Sequence, residues 1–177
     1  MTEQALEKLI NAETAKLRAA FLEQLKLEIE KARGDSTLVV CLCSQNPRPD
    51  YFPTQQAQLS ISFELLGVLQ EAQIDGIAAH WEYENIGFIC RGQNRSDYAG
   101  KVDKAIELVA AREFGRMMPQ RKIAVNFGLA SFPHDSEHPE QLMQQAFLAL
   151  KAAQEAGPNK MGCFWMLKST PFPPVYP

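Results

Sequence analysis

Apolar residues Leu6, Leu9, Ile10, Leu17, Phe21, Leu25 and Ile29 recur at mixed three- and four-residue steps through residues 2–33, a stretch without Gly or Pro. That spacing predicts one long helix with a broad apolar stripe, with Glu and Lys on its other faces. Thr2 can cap its start, and Gly34 after Arg33 supplies a stop. The stripe is too irregular for a strict a/d seam. The helix therefore either pairs with a second copy or docks on its own domain.

The pattern then changes period. Residues 37–43 form a continuous apolar run of buried-strand length, and a loop with Pro47, Pro49 and Pro53 follows. Residues 55–73 read as a helix with Leu59, Phe63, Leu66 and Leu69 on one face. Residues 74–81 and 86–90 are short apolar strands around a polar turn, which predicts a hairpin. A helix over 97–117 turns Val102, Ile106, Val109 and Phe114 inward, and a strand covers 122–130. An amphipathic helix over 139–156 ends at Gly157-Pro158, and 162–167 suit a last strand. The order is helix, then β-α-β-β-α-β-α-β. This predicts an α+β, ferredoxin-like or nucleotide-cyclase-type mixed sheet flanked by helices, with the first strand central and a long N-terminal helix in front. Three segments are expected: 1–34 as the helix, 35–168 as the domain, and 169–177 as a Pro-rich tail that cannot form regular structure.

Composition narrows the function more than the fold. Hydrophobic residues are 46% and charged residues 22% of the 177, a globular balance. The formal net charge is -3 and no Lys/Arg run occurs, so the footprint of a nucleic-acid binder is missing. No apolar stretch approaches the ~20 residues a membrane-spanning helix needs, and the N-terminus lacks a signal-peptide core. The expected setting is cytoplasmic, with no membrane span.

Candidate chemistry is sparse. Cys41, Cys43 and Cys90 lie in apolar runs, so with Cys163 they read as buried thiols, and Cys41-x-Cys43 on a strand is not a metal-site spacing. His80 beside Trp81 reads as a partly buried, hydrogen-bonded histidine. His134 and His138 share a polar loop with Asp135 and Glu137. Glu82 and Glu84 flank Tyr83 on a turn, either as a solvated tip or as an acid/base or cation pair. Trp165, Phe172, Val175 and Tyr176 could fold back over the sheet or dock on a partner. No nucleophile motif or Gly-rich phosphate loop is present, and neither a metal nor another cofactor is expected.

More specific is Ile123-Ala-Val-Asn-Phe-Gly-Leu-Ala-Ser-Phe-Pro133. A strand ending in G-x-A, then a small residue, an aromatic and Pro, resembles the late strand of diguanylate cyclase (GGDEF) domains. The helix beginning Pro139-Glu-Gln-Leu-Met and its ending Gly157-x-Asn159 resemble that family's last helix. Counting back, Glu82-Tyr83-Glu84-Asn85-Ile86 takes the place of the signature Gly-Gly-Asp/Glu-Glu-Phe turn. The resemblance covers roughly residues 36–162.

The resemblance implies a dismantled site. The two glycines that admit the nucleotide are Glu82 and Tyr83 here. Glu84 keeps the metal-binding acid, but its partner position falls at Cys41, and a thiol is a poor ligand for Mg²⁺. Asn85 replaces the second acid. The guanine-recognising Asn and Asp fall near Pro49 and Gln58, with Asp50 and Phe52 surviving. Phosphate-binding Lys and Arg become Gln154 and Pro158, and the Arg-x-x-Asp inhibitory site would cover Gln73–Gly76, which has no Arg. Each lost charge-assisted contact is worth roughly 1.5–3 kcal/mol. Phosphoryl transfer depends mostly on positioning and charge neutralisation, so the expectation is no cyclase activity. The expected role is a regulatory or scaffolding module in bacterial, cyclic di-GMP-related signalling. It would act through protein–protein contacts with an unnamed partner, as a homodimer through the N-terminal helix. The alternatives are a non-catalytic receptor for GTP or cyclic di-GMP, and an enzyme of unrelated chemistry on the same frame.

Overall fold

A computed structural model describes residues 2–34, 36–46, 55–82, 85–115 and 122–167. The elements run α1 (Glu3–Ala32), β1 (Leu38–Asn46), α2 (Gln55–Glu71), β2 (Ile77–Glu82), β3 (Asn85–Arg91), α3 (Arg95–Ala110), β4 (Ala124–Phe132), α4 (Pro139–Ala156), β5 (Lys160–Cys163) and α5 (Phe164–Leu167). The sheet order is β2-β3-β1-β4-β5. β1 is central and antiparallel to both β3 and β4, and only β4–β5 is parallel. β1 is apolar on both sides because both of its faces are covered. Val39, Cys41 and Cys43 face one layer with α2 and α3, whereas Leu38, Val40 and Leu42 face the other with α1 and α4.

Several predicted elements shift. On α2, Phe63 is exposed and Ile61, Leu65 and Val68 are buried beside Leu69, as is Ala72 just past its end. Leu66 of the predicted face also packs against the core, so the buried face overlaps the predicted one and is turned away from Phe63. α3 stops at Ala110, and Phe114 folds back as a buried residue before Gly115, whose positive φ of 94° no helix continues. The last strand is only Lys160–Cys163, and Phe164–Leu167 is a helical turn. A short apolar run does not distinguish these by periodicity. Residues 168–177, including the Pro-rich tail, lie outside the described residues, as do Pro49, Asp50 and Phe52.

The N-terminal helix divides in two. From Thr2 to Ala20 the described side chains are exposed, apart from half-buried Thr14 and Leu17. Phe21, Leu25, Ile29 and Ala32 are fully buried on the sheet. Their i, i+4, i+8 and i+11 spacing places them along one stripe. The docked half is pinned by Lys26 to Glu140 of α4 at 3.3 Å. Buried Glu28 meets Lys31 at 2.7 Å and Arg91 of β3 at 3.9 Å.

Glycines set how closely layers approach. A Cβ at Gly128 of β4 would collide with the α4 backbone at Ala146 and Leu150, and one at Gly162 of β5 with Ala149. Asn126 fixes the same corner, donating from Nδ2 to the carbonyls of Gly157 at 2.8 Å, Ala153 at 3.3 Å and Lys160 at 3.4 Å. Asn159, at φ 57°, accepts from the Val125 amide at 3.1 Å. The Asn126-Phe-Gly128 and Gly157-x-Asn159 motifs thus hold α4 on the sheet.

Candidate functional site: the hairpin tip and the end of the central strand

β2 is an edge strand. Its alternation presses Ala79 and Trp81 toward α1 and leaves Ala78 and His80 exposed. His80 is therefore not the partly buried residue its apolar surroundings in sequence predict. Trp81 is buried, and its indole N–H donates to the Cys43 carbonyl at 3.3 Å.

Glu82 and Asn85 are register partners that close the hairpin. Tyr83 and Glu84 lie outside the described residues. The Asn85 side-chain amide donates to Glu82 Oε2 at 2.9 Å and accepts from the Gln45 backbone N–H at 3.1 Å. Glu82 Oε1 pairs with the guanidinium of Arg18 on α1. That guanidinium also lies 5.6 Å from the Trp81 ring centroid and 5.7 Å from that of Phe147 on α4. Ile86 follows as a buried core residue.

The end of β1 completes the region. Gln45 Nε2 donates to Ser62 Oγ of α2 at 3.2 Å, and Gln154 Nε2 of α4 donates to Ser44 Oγ at 2.9 Å. Pro158 is exposed just beyond α4, and Gln58 lies on α2.

Cys41 stands further in. It pairs with Phe88, three residues along β3 from Asn85, and is fully buried. Burial raises its thiol pKa well above the ordinary value, and the adjacent Cys43 and Cys163 push the same way. Burial alone pushes Cys43 up to about 12. The buried Tyr98 hydroxyl lies beside Cys41, whose thiol is a weak partner, and makes no full hydrogen bond. These thiols are neutral at pH 7, when only a thiolate ligates metal well. Among the described residues, no group of three or more His, Cys, Asp or Glu side chains is placed to hold a metal ion. The neutral thiols and amides do not fit a hard divalent cation, and the Glu82 carboxylate is already engaged by Arg18 and Asn85.

The sequence pairs Cys41 with Glu84 by resemblance and reads Glu82 with Glu84 as a solvated tip or an acid/base or cation pair. It misses Arg18, Ser44 and Gln45. Nothing in the local pattern flags Arg18, which is 64 positions from Glu82.

No family model matches the chain, and no curated protein matches it significantly. Solved structures do. The coiled coil and GGDEF domain of DgcB from Caulobacter crescentus, in complex with c-di-GMP, aligns at TM-score 0.68 and 20% identity, over 91% of this chain and 92% of that one. The active GGEEF domain of a diguanylate cyclase from Vibrio cholerae aligns at 0.66 and 14%, over 85% and 95%. The FimX GGDEF domain from Pseudomonas aeruginosa aligns at 0.67 and 14%, over 82% and 91%. The fold is that of a GGDEF domain. At these identities the likeness concerns architecture. In the GGDEF-like frame, the β2–β3 hairpin is the element whose tip Glu82 and Asn85 close.

Proposed function

We propose that this chain is a GGDEF-like module that does not polymerise nucleotides and acts through protein contacts. One observation carries the reading. Side chains at the replaced positions bond to their own fold: Glu82 to Arg18 and Asn85, Asn85 to the Gln45 amide, and Gln154 to Ser44. A site that binds a triphosphate needs cations and open donors, because charge neutralisation supplies most of the catalysis. Buried neutral thiols at Cys41 and Cys43 add nothing to a Mg²⁺ site.

The exposed half of α1 supports a homodimer as the working form. An isolated helical stretch of that length is marginal in water, and a second copy would supply the missing contacts. No helix among the described residues is long and apolar enough to cross a membrane.

Purified protein incubated with GTP and Mg²⁺ or Mn²⁺ is expected to yield no cyclic di-GMP, and steady turnover would overturn the proposal. Titration calorimetry with GTP and cyclic di-GMP separates the receptor reading. Micromolar binding abolished by Glu84→Ala would favour a non-catalytic receptor over a contact module.

A further inference from the structure

Arg18 occupies an unusual place on α1. It lies three residues before Phe21, the first fully buried residue among the described side chains of the helix. It therefore marks the boundary between the free and the docked halves. Its guanidinium stands over Trp81 and Phe147 and pairs with Glu82. The second oxygen of Glu82 holds the Asn85 amide, whose own oxygen holds the Gln45 N–H. Three consecutive polar contacts thus lead from the helix boundary, through both strands that close the hairpin, to the end of the central strand.

We infer that α1 is a strap whose docking at Arg18 sets the conformation of the hairpin-closing pair Glu82–Asn85 and of Gln45. Lifting or turning the helix at that boundary withdraws the cation from Glu82. The carboxylate then gains water, and its hold on the Asn85 amide weakens. With Asn85 loosened, the Gln45 N–H loses its side-chain acceptor. Hydrogen-bond chains polarise one another in this way, so the three contacts open together rather than singly. Shielding by the Trp81 and Phe147 rings strengthens the Arg18–Glu82 pair beyond a fully solvated one. Free and docked halves belong to one continuous helix, so torque on the first reaches Arg18 directly. The coupling itself stands without the proposed function. Only its consequence, that events on the free half alter the surface offered by the hairpin, rests on that reading.

Amide hydrogen exchange by NMR on the full chain tests the strap and involves neither a partner nor a nucleotide. Arg18→Gln is expected to speed exchange of the Gln45 amide roughly tenfold, with Val40 and Leu129 unchanged. Glu82→Gln should do the same from the other side, and the double variant should be no worse than either single change. Unchanged Gln45 protection in either single variant, or additive effects in the double, would overturn the inference. If Arg18→Gln fails to fold, Glu82→Gln with Arg18 intact carries the same test. Loss of the proposed function, seen as turnover of GTP, would leave these exchange results standing.

Discussion

The ring of Phe21 on α1 occupies the space where a side chain at Gly87 on β3 would begin. A Cβ at position 87 would stand 2.6 Å from Phe21 Cε2 and 2.8 Å from Cζ. The strand after the hairpin is therefore shaped to receive this helix. Gly87→Ala is expected to destabilise the fold by about 1–3 kcal/mol through overpacking. Phe21→Ala alone should cost about 3–5 kcal/mol. Combined, the two should cost clearly less than their sum, since the new methyl enters the space the ring vacates. Urea denaturation of the four proteins measures the coupling.

The buried thiols make a pH prediction. Cys43 and Cys163 are pushed up to about 12 from an ordinary 9.0, chiefly by burial. Burial also raises Cys41 and Cys90. A raised folded-state pKa means that the unfolded chain ionises first. The stability these groups contribute is complete below pH 9 and is lost as pH climbs toward 12. Each affected thiol should lower unfolding free energy by up to about 1.4 kcal/mol per pH unit in that window. Thermal melts between pH 8 and 11 should show the decline, and Cys43→Ala should flatten it. At pH 8 a thiol reagent should label the native protein slowly and the denatured protein at once.

Asn126 is buried and binds three carbonyls where α4 ends and β5 begins. Asn126→Leu removes their donor and is expected to cost about 1–3 kcal/mol. The denaturation midpoint should fall with an unchanged slope, since the surface exposed on unfolding stays the same.

Truncation of α1 should give opposite results on the two sides of Phe21. Removing residues 2–16 takes away mostly exposed side chains and retains Arg18. That variant should keep its melting temperature within a few degrees and, on the proposed dimer, run as a monomer in light scattering. Removing residues 1–33 strips Phe21, Leu25, Ile29 and Ala32 from the core. The remainder should melt far lower or aggregate, because a large apolar face is uncovered.

Order and type of the elements were legible because their periods are strong. α4 was read to its ends, Pro139 and Ala156, as Pro at the first turn and Gly-Pro after the last are direct punctuation. β1 was placed at the centre because its unbroken apolar run demands cover on both faces. On α2 the sequence reads Leu66 and Leu69 correctly as inward and Phe63 wrongly, since several of its faces are apolar and only the neighbours decide. The hairpin was legible, but its chemistry was not. Glu82 reads as a solvated or repelling charge until Arg18 is placed beside it, and that pairing is a product of the tertiary fold. Cys41 reads as a buried thiol from its apolar run, and its register with Phe88 places it inside the core, whereas the resemblance alone made it a substituted ligand position.

The clash-limited glycines on β4 and β5 have a bearing on how the chain tolerates change. Gly128 and Gly162 touch the α4 main chain itself, which no rotamer can move aside. Nearly every substitution there should be rejected. At Glu82, Asn85 and Gln154 the contacts are hydrogen bonds and an ion pair made by side chains, for which different residues can supply a donor or acceptor. A saturation library scored for folded protein should therefore show sharply intolerant columns at 128 and 162, and broad tolerance at 82, 85 and 154. A lineage built this way can rewrite the tip many times while its backbone stays in one shape.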